Sequence, residues 1–182
     1  NFLMLTNELT MQSQFVTPEL LYTLVSQALS EDLNGLSAEN GDITAQLIPK
    51  EQTAQAHVIT REECIFCGKE LILEVFKQVD PKVSIDIHVQ DGDLLPANTT
   101  LFTAKGSARA ILTAERTALN FVQTLSATAT TTHKYVNKLK GTKTKLLDTR
   151  KTIPSLRALQ KYAVHCGGGR NHRMGLFDAF LI

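Results

Sequence analysis

Apolar positions along this chain repeat with two periods, about 3.6 residues in some segments and 2 in others. Leu20, Leu21, Leu24, Val25 and Leu29 keep helical spacing. They follow Thr17-Pro18-Glu19, which supplies a threonine N-cap, a proline at the first helical position and an acid in the first turn. The pattern predicts a helix over 18–30, then a polar loop over 31–44 that contains Gly35, Gly41 and Asp42. Residues 54–60 read as a strand. Residues 68–79 read as a second helix, with Leu71, Ile72, Val75 and Phe76 on one side. Val83, Ile85, Ile87 and Val89 alternate with Ser84, Asp86 and His88, the rhythm of a half-buried strand. A turn at Asp91-Gly92-Asp93 and a strand over 100–104 ending at Gly106 complete an α+β first half with an antiparallel sheet.

The pattern changes near Ser107. A helix is predicted from about 108 to 125, carrying Ile111, Leu112, Leu119, Val122 and Leu125. The threonine-rich run Thr128 to Thr132 is expected to interrupt or bend it before the basic segment Lys138 to Lys145. A strand over 144–147, a helix over 155–164 behind Pro154 and a strand over 179–182 then predict a βαβ unit. That last apolar strand stops with no turn or helix after it, as in an unfinished parallel sheet. The chain is therefore expected to be a fragment or to lack a disordered remainder.

A length of 182 residues can bury a real core, in one large or two small domains. With 43% hydrophobic and 20% charged residues, the composition is that of a soluble globular protein. No apolar run approaches the roughly 20 residues of a membrane span. Phe2-Leu3-Met4-Leu5 lacks the length and basic flank of a secretory signal, so no membrane partner and a cytoplasmic location are expected. Charge is distributed unevenly: residues 1–103 carry 5 Lys/Arg against 15 Asp/Glu, residues 104–182 carry 14 against 3. Such a split implies two parts with different partners, or two parts that attract each other. The basic half has few aromatic residues for base stacking and no lysine-rich tail, which argues against nucleic acid. Cys64-Ile65-Phe66-Cys67 has redox or zinc spacing, but no second pair completes a tetrahedral site unless the fold brings His165-Cys166 close. The plain reading is small, partly buried hydrophobes in a reduced compartment.

Candidate chemistry lies in the basic half. Arg150 and Lys151 follow the predicted strand over 144–147, at the end where parallel α/β proteins gather functional residues. Arginine offers a planar fork for carboxylate or phosphate, and lysine a compact charge. Asp148 could orient them or cap Thr149 to Thr152. Gly167-Gly168-Gly169 fits neither the phosphate-loop nor the dinucleotide pattern; it reads as a helix C-cap that could also let backbone amides approach a ligand. Arg170, Asn171, His172 and Arg173 follow at once, and an anion contact suits His172 better than a metal, for which it lacks a partner. His133 and His165 read as surface or capping residues, and His57 and His88 as strand residues without cationic company. Arg116 sits on a largely apolar helix where the positions three and four away are Leu112, Thr113, Leu119 and Asn120, so no acid is placed to pair with it. It is either solvated or free to reach an anion across an interface.

Taken together, Glu115-Arg116-Thr117-Ala118-Leu119-Asn120-Phe121, Leu147-Asp148-Thr149-Arg150-Lys151-Thr152, Lys161-Tyr162-Ala163-Val164, Cys166-Gly167-Gly168-Gly169, Asn171-His172-Arg173 and Gly175-Leu176-Phe177-Asp178 strongly resemble the nicotinate-nucleotide pyrophosphorylase (carboxylating) family, also called quinolinate phosphoribosyltransferase. Glu31-Asp32, Gly41-Asp42-Ile43-Thr44, Arg61-Glu62 and Gly68 fit the first domain of that family. The resemblance implies an α/β fold, with an N-terminal α/β (α+β) sandwich domain over 1–107. The first, truncated part of a C-terminal open parallel α/β barrel would follow over 108–182. It also implies phosphoribosyl transfer from phosphoribosyl pyrophosphate to quinolinate, giving nicotinate mononucleotide, pyrophosphate and CO2. Mg²⁺ would be the cofactor, its acidic ligands beyond residue 182, and a homodimer or higher homo-oligomer would share the active site. Arg150, His172 and Arg173 match quinolinate-binding positions, and Arg116 matches an arginine donated across the dimer. Lys151 matches a lysine facing the phosphoribosyl substrate and is the catalytic candidate, with Thr149 counted among the substrate-binding residues. Two departures stand out: the family's next lysine falls just beyond Ile182, and His165 stands where many relatives carry Arg or Lys. Alternatives are a molybdenum-transport-associated paralogue of the same fold and a non-catalytic anion-binding module.

Overall fold

The structure, a computed structural model, describes residues 16–180. Thr17 Oγ1 accepts a hydrogen bond from Leu20 N at 3.2 Å and closes the first turn of α1 (Pro18–Asp32), as the sequence predicts. The polar stretch behind it is not all loop, because it holds one helical turn, α2 (Ala38–Gly41). Then come β1 (Thr53–Ile59), β2 (Cys64–Ile65), α3 (Lys69–Val79), β3 (Ser84–Ile87), β4 (Leu94–Leu95) and β5 (Thr100–Ser107). The short antiparallel pair β2 and β4 had no signal in the sequence pattern, since two residues are too few to show a period.

β5 lies between β1 and β3, antiparallel to both. Its register sets Ala104 beside Ala56 and Ile85, and Thr103 beside His57 and Asp86. Because side chains alternate between faces, Ala54, Ala56, Val58, Ile85, Phe102 and Ala104 share the core face. The open face is polar. There His57 Nδ1 and His88 Nε2 lie 3.2 and 3.0 Å from Thr103 Oγ1, which accounts for two histidines without a cationic neighbour. Phe76 of α3 meets Phe102 edge-on, ring centres 6.0 Å apart.

α4 (Ala108–Lys138) runs unbroken for 31 residues, so the threonine run does not interrupt it. Thr128 and Thr132 satisfy their hydroxyls on the carbonyls of Thr124 and Thr128. Thr130 Oγ1 accepts from Ile65 N at 2.9 Å, and Ser126 Oγ accepts from Cys67 N at 3.0 Å. These small polar side chains face a strand-like backbone segment that α4 covers, and they satisfy its amides.

α5 (Arg157–Cys166) starts two residues later than Pro154 alone suggests, because Ser155 takes a left-handed φ of 64° and stops the helix from beginning there. The predicted strand over 144–147 is reduced to one parallel bridge between Leu147 and Arg170. Arg170 N donates to Leu146 O at 2.9 Å and Asp148 N donates to Arg170 O at 3.0 Å. A parallel partner therefore comes from the segment that follows α5. Ala179 and Phe180 are not in a strand, and 181–182 lie outside the described residues. Leu176, Phe177 and Phe180 are largely exposed, so their apolar character finds no covering among the described residues.

The glycine run joins α5 to α4. A Cβ on Gly167 would stand 2.4 Å from Ala129 O, and one on Gly169 would stand 2.9 Å from Thr132 Cγ2. Gly168 takes φ 85° at the end of α5. The triplet therefore serves capping and close helix packing. One buried cluster, with Phe66, Phe102, Leu125, Leu159 and Tyr162 among its members, runs through both halves of the chain.

Candidate functional site

Two loops meet beside the parallel bridge, 148–152 leaving it and 170–174 arriving from α5. Asp148 holds them together. Its Oδ1 accepts from Lys161 Nζ at 2.5 Å and from His172 N at 2.8 Å, and its Oδ2 accepts from Asn171 Nδ2 at 2.6 Å. Lys161 Nζ also donates to His172 O at 3.1 Å, and Asn171 Nδ2 to Lys161 O at 2.9 Å. The Lys161 and Asp148 side chains are only 1% and 6% exposed, so each charge is desolvated and depends on the other. Asp148 thus orients the cations by tying their loop to the second one, and not by capping Thr149 to Thr152. The sequence motifs include Lys161 and Asn171 but assign neither a role in holding the loops together. The available signal was a lysine set between apolar positions of α5, Leu159 and Tyr162.

Thr149 is exposed, and its Oγ1 accepts from Lys151 N at 3.0 Å, tightening the turn that presents Lys151 to solvent. Arg150 is half-buried, and its Nε is buried without a hydrogen-bond partner. His172 is fixed through its backbone and leaves its ring exposed. Arg173 is half-buried and donates from Nη1 to Ala179 O at 2.9 Å. Thr149, Arg150, Lys151, His172 and Arg173 therefore sit on adjoining loops. Arg116 does not join them. It projects from an exposed position of α4, with no hydrogen bond or ion pair among the described residues.

The charge balance at these loops is cationic. Asp148 is consumed by Lys161, and Asp178 Oδ2 accepts from Met174 N at 2.7 Å, whereas Arg150, Lys151 and Arg173 form no ion pair among the described residues. A desolvated guanidinium donor without an acceptor costs about 1–3 kcal/mol, and an anion arriving there removes that cost. Cavities of about 630, 350 and 300 Å³ lie elsewhere, the largest between β1 and α4, and none of the three is lined by these loop residues.

A second polar junction escaped the sequence reading, which saw Asp91 only as a turn former. Its Oδ1 accepts from Gly68 N at 2.7 Å and Lys69 N at 3.0 Å, and its Oδ2 from Tyr162 OH at 2.8 Å. Burial pushes its carboxyl above the ordinary range in spite of those bonds. Burial likewise raises the Tyr162 hydroxyl and the Cys67 thiol, which makes them poor nucleophiles. Cys67 Sγ faces Cys166 Sγ at 3.7 Å, whereas Cys64 Sγ lies 3.5 Å from Thr60 Oγ1; all three are free thiols. Among the described residues no group of three or more His, Cys, Asp or Glu could hold a metal ion, and no helix is long and apolar enough to cross a membrane.

Comparison with known proteins identifies the chain's relatives. Residues 42–126 match the sequence model for the quinolinate phosphoribosyl transferase N-terminal domain, and residues 128–182 match that for the C-terminal domain. The probable nicotinate-nucleotide pyrophosphorylase [carboxylating] of Bacillus subtilis is 44% identical over 78% of this chain and 49% of its own length. The nicotinate-nucleotide pyrophosphorylase [carboxylating] of Mycobacterium leprae is 43% identical over 87% of this chain and 55% of its own. The solved structure of the nicotinate-nucleotide pyrophosphorylase from Francisella tularensis superposes with a TM-score of 0.85 at 52% identity, covering 90% of this chain and 57% of that one. The chain spans about half the length of the curated relatives it matches.

Proposed function

Because the chain belongs to the quinolinate phosphoribosyltransferase family, we propose that the intact protein transfers a phosphoribosyl group from phosphoribosyl pyrophosphate to quinolinate with loss of CO2. The products are nicotinate mononucleotide and pyrophosphate, which makes the reaction a step of NAD biosynthesis. The observation that carries this reading is the pair of cationic loops clasped by Asp148, with the buried Arg150 Nε lacking an acceptor. Quinolinate brings two carboxylates and its co-substrate several phosphate charges, so both substrates require fixed cations.

In this reading Arg150, His172 and Arg173 hold the quinolinate carboxylates. Thr149 and Lys151 face the phosphoribosyl substrate, and Lys151 is the catalytic residue through its charge on the departing pyrophosphate. The C1–O bond to pyrophosphate breaks with oxocarbenium character at the ribose, and the pyridine nitrogen donates its pair to C1. The quaternary pyridinium nitrogen stabilises the electron pair left on the ring carbon when the adjacent C–CO2 bond breaks, and that carbon then takes up a proton from solvent. No protein nucleophile enters, and none of the loop residues assigned to the site is a thiol. No group of three or more His, Cys, Asp or Glu among the described residues forms a metal site, so the steps assigned to these residues are not routed through the Mg²⁺ that the family resemblance implies. Arg116 would complete the site of a neighbouring subunit in a homodimer or larger homo-oligomer, and a cytoplasmic location is proposed.

Replacing Arg150 with alanine should abolish quinolinate binding in calorimetry while leaving cooperative unfolding intact. Saturation of Arg150→Ala by quinolinate at the wild-type affinity would overturn the assignment.

A further inference from the structure

α5 turns a second cation toward the same two loops. Arg157, its first residue, is half-buried and donates from Nε to Thr152 Oγ1 at 3.2 Å. Its Nη1 donates to Met174 O at 3.1 Å, and its Nη2 makes a longer contact of 3.5 Å to Arg150 O. One guanidinium therefore touches loop 148–152 twice and loop 170–174 once. All three acceptors are neutral, and no acid pairs with Arg157 among the described residues. Lys161 lies one helical turn further on, on the same side of α5, and grips the same loops through Asp148 Oδ1 and His172 O. The two cations differ in one respect: the charge of Lys161 is cancelled by Asp148, and that of Arg157 is not.

We propose that Arg157 is a positioning residue of the cation site, its forked guanidinium setting the separation between the loop that carries Arg150 and Lys151 and the loop that carries His172 and Arg173. This rests on the reading of those loops as the quinolinate site. The acceptors explain how it acts. Arg150 O belongs to the residue whose side chain meets the substrate, and Met174 O follows directly on Arg173. Neither backbone can rotate without breaking a bond to Arg157. A planar fork with divergent N–H groups can span two loops at once, whereas the single nitrogen of a lysine must choose one. Small errors in loop separation matter because two carboxylates on one rigid ring must be met together.

The test uses the intact protein and four variants. Arg157→Lys keeps the charge and loses the fork, and Arg157→Gln loses both. Lys145→Gln removes one exposed charge from the same unit, and Arg157→Gly leaves a space that a free guanidinium ion can fill. Quinolinate affinity should fall about tenfold in both Arg157→Lys and Arg157→Gln. It should be unchanged in Lys145→Gln. Millimolar guanidinium chloride should restore affinity to Arg157→Gly where equal sodium chloride does not. Hydrogen exchange at the His172 and Thr152 amides should quicken in Arg157→Lys, a readout that needs no substrate. Wild-type affinity in Arg157→Lys, or equal weakening in Lys145→Gln, overturns the proposal. Wild-type protein that takes up no quinolinate overturns the substrate reading first, and is distinguished because every variant is then silent in calorimetry.

Discussion

Asp91 shows what a single residue can hide in a sequence. Its hydrogen-bond partners Gly68, Lys69 and Tyr162 lie 23, 22 and 71 positions away, so no local pattern marks it as more than part of a turn. Thr17 was legible because its partner is three residues off. Arg150, Lys151, His172 and Arg173 were legible as cations in loops, but their mutual distance was not, because the residues that set it, Lys161 and Arg157, look like ordinary helix polar positions. The raised carboxyl of Asp91 has a measurable consequence. Burial makes the native state hold the proton more tightly than the unfolded chain does. The contribution of Asp91 to stability is therefore greatest below its ordinary value of 3.8 and is lost as pH rises through the raised native value. The stability of wild type relative to Asp91→Asn should fall across that window, as read by urea unfolding at a series of pH values. A difference that does not vary with pH would show the carboxyl to be unperturbed.

At the scale of elements, helix and strand positions were readable wherever one face is apolar over several turns, and failed where partners decide. α4 passes through five consecutive residues that include four threonines because the hydroxyls of Thr128, Thr130 and Thr132 find helix carbonyls or the backbone of Ile65, a choice that no propensity expresses. The parallel partner Arg170 was not foreseen in the βαβ unit, since apolar character near the chain end outweighed a single bridging residue, while half of the predicted strand over 179–182 lies outside the described residues. The glycine triplet was foreseen as a cap but not as a packing surface. Gly167 decides how closely α5 approaches α4. An added Cβ would meet Ala129 O at 2.4 Å and Thr132 Cβ at 2.6 Å, and the first of these is helix backbone that cannot swing aside. Gly167→Ala should destabilise the protein by about 1–3 kcal/mol in denaturant unfolding, the usual range for overpacking. A loss too small to detect would mean that the two helices part at little cost.

Across the whole molecule the acidic and basic halves, with net charges of −10 and +11 from the counts above, are joined through one core. Charge asymmetry alone therefore does not separate them into independent parts. What it leaves is Arg116, a cation on the exposed face of α4 with no acid to meet in its own chain among the described residues. In the proposed dimer this side chain serves the neighbouring site, whereas Arg150 serves its own. Arg116→Ala and Arg150→Ala subunits should each be inactive alone. Mixed at equal amounts, half of the dimers of a closed two-fold assembly contain one of each, and in those one site carries both lesions and the other neither. About a quarter of the wild-type activity should then return. The logic needs no knowledge of the rest of the site, because everything except the two lesions is common to both subunits. Mixed dimers verified by mass that stay inactive would mean that Arg116 and Arg150 act in the same site of the same subunit.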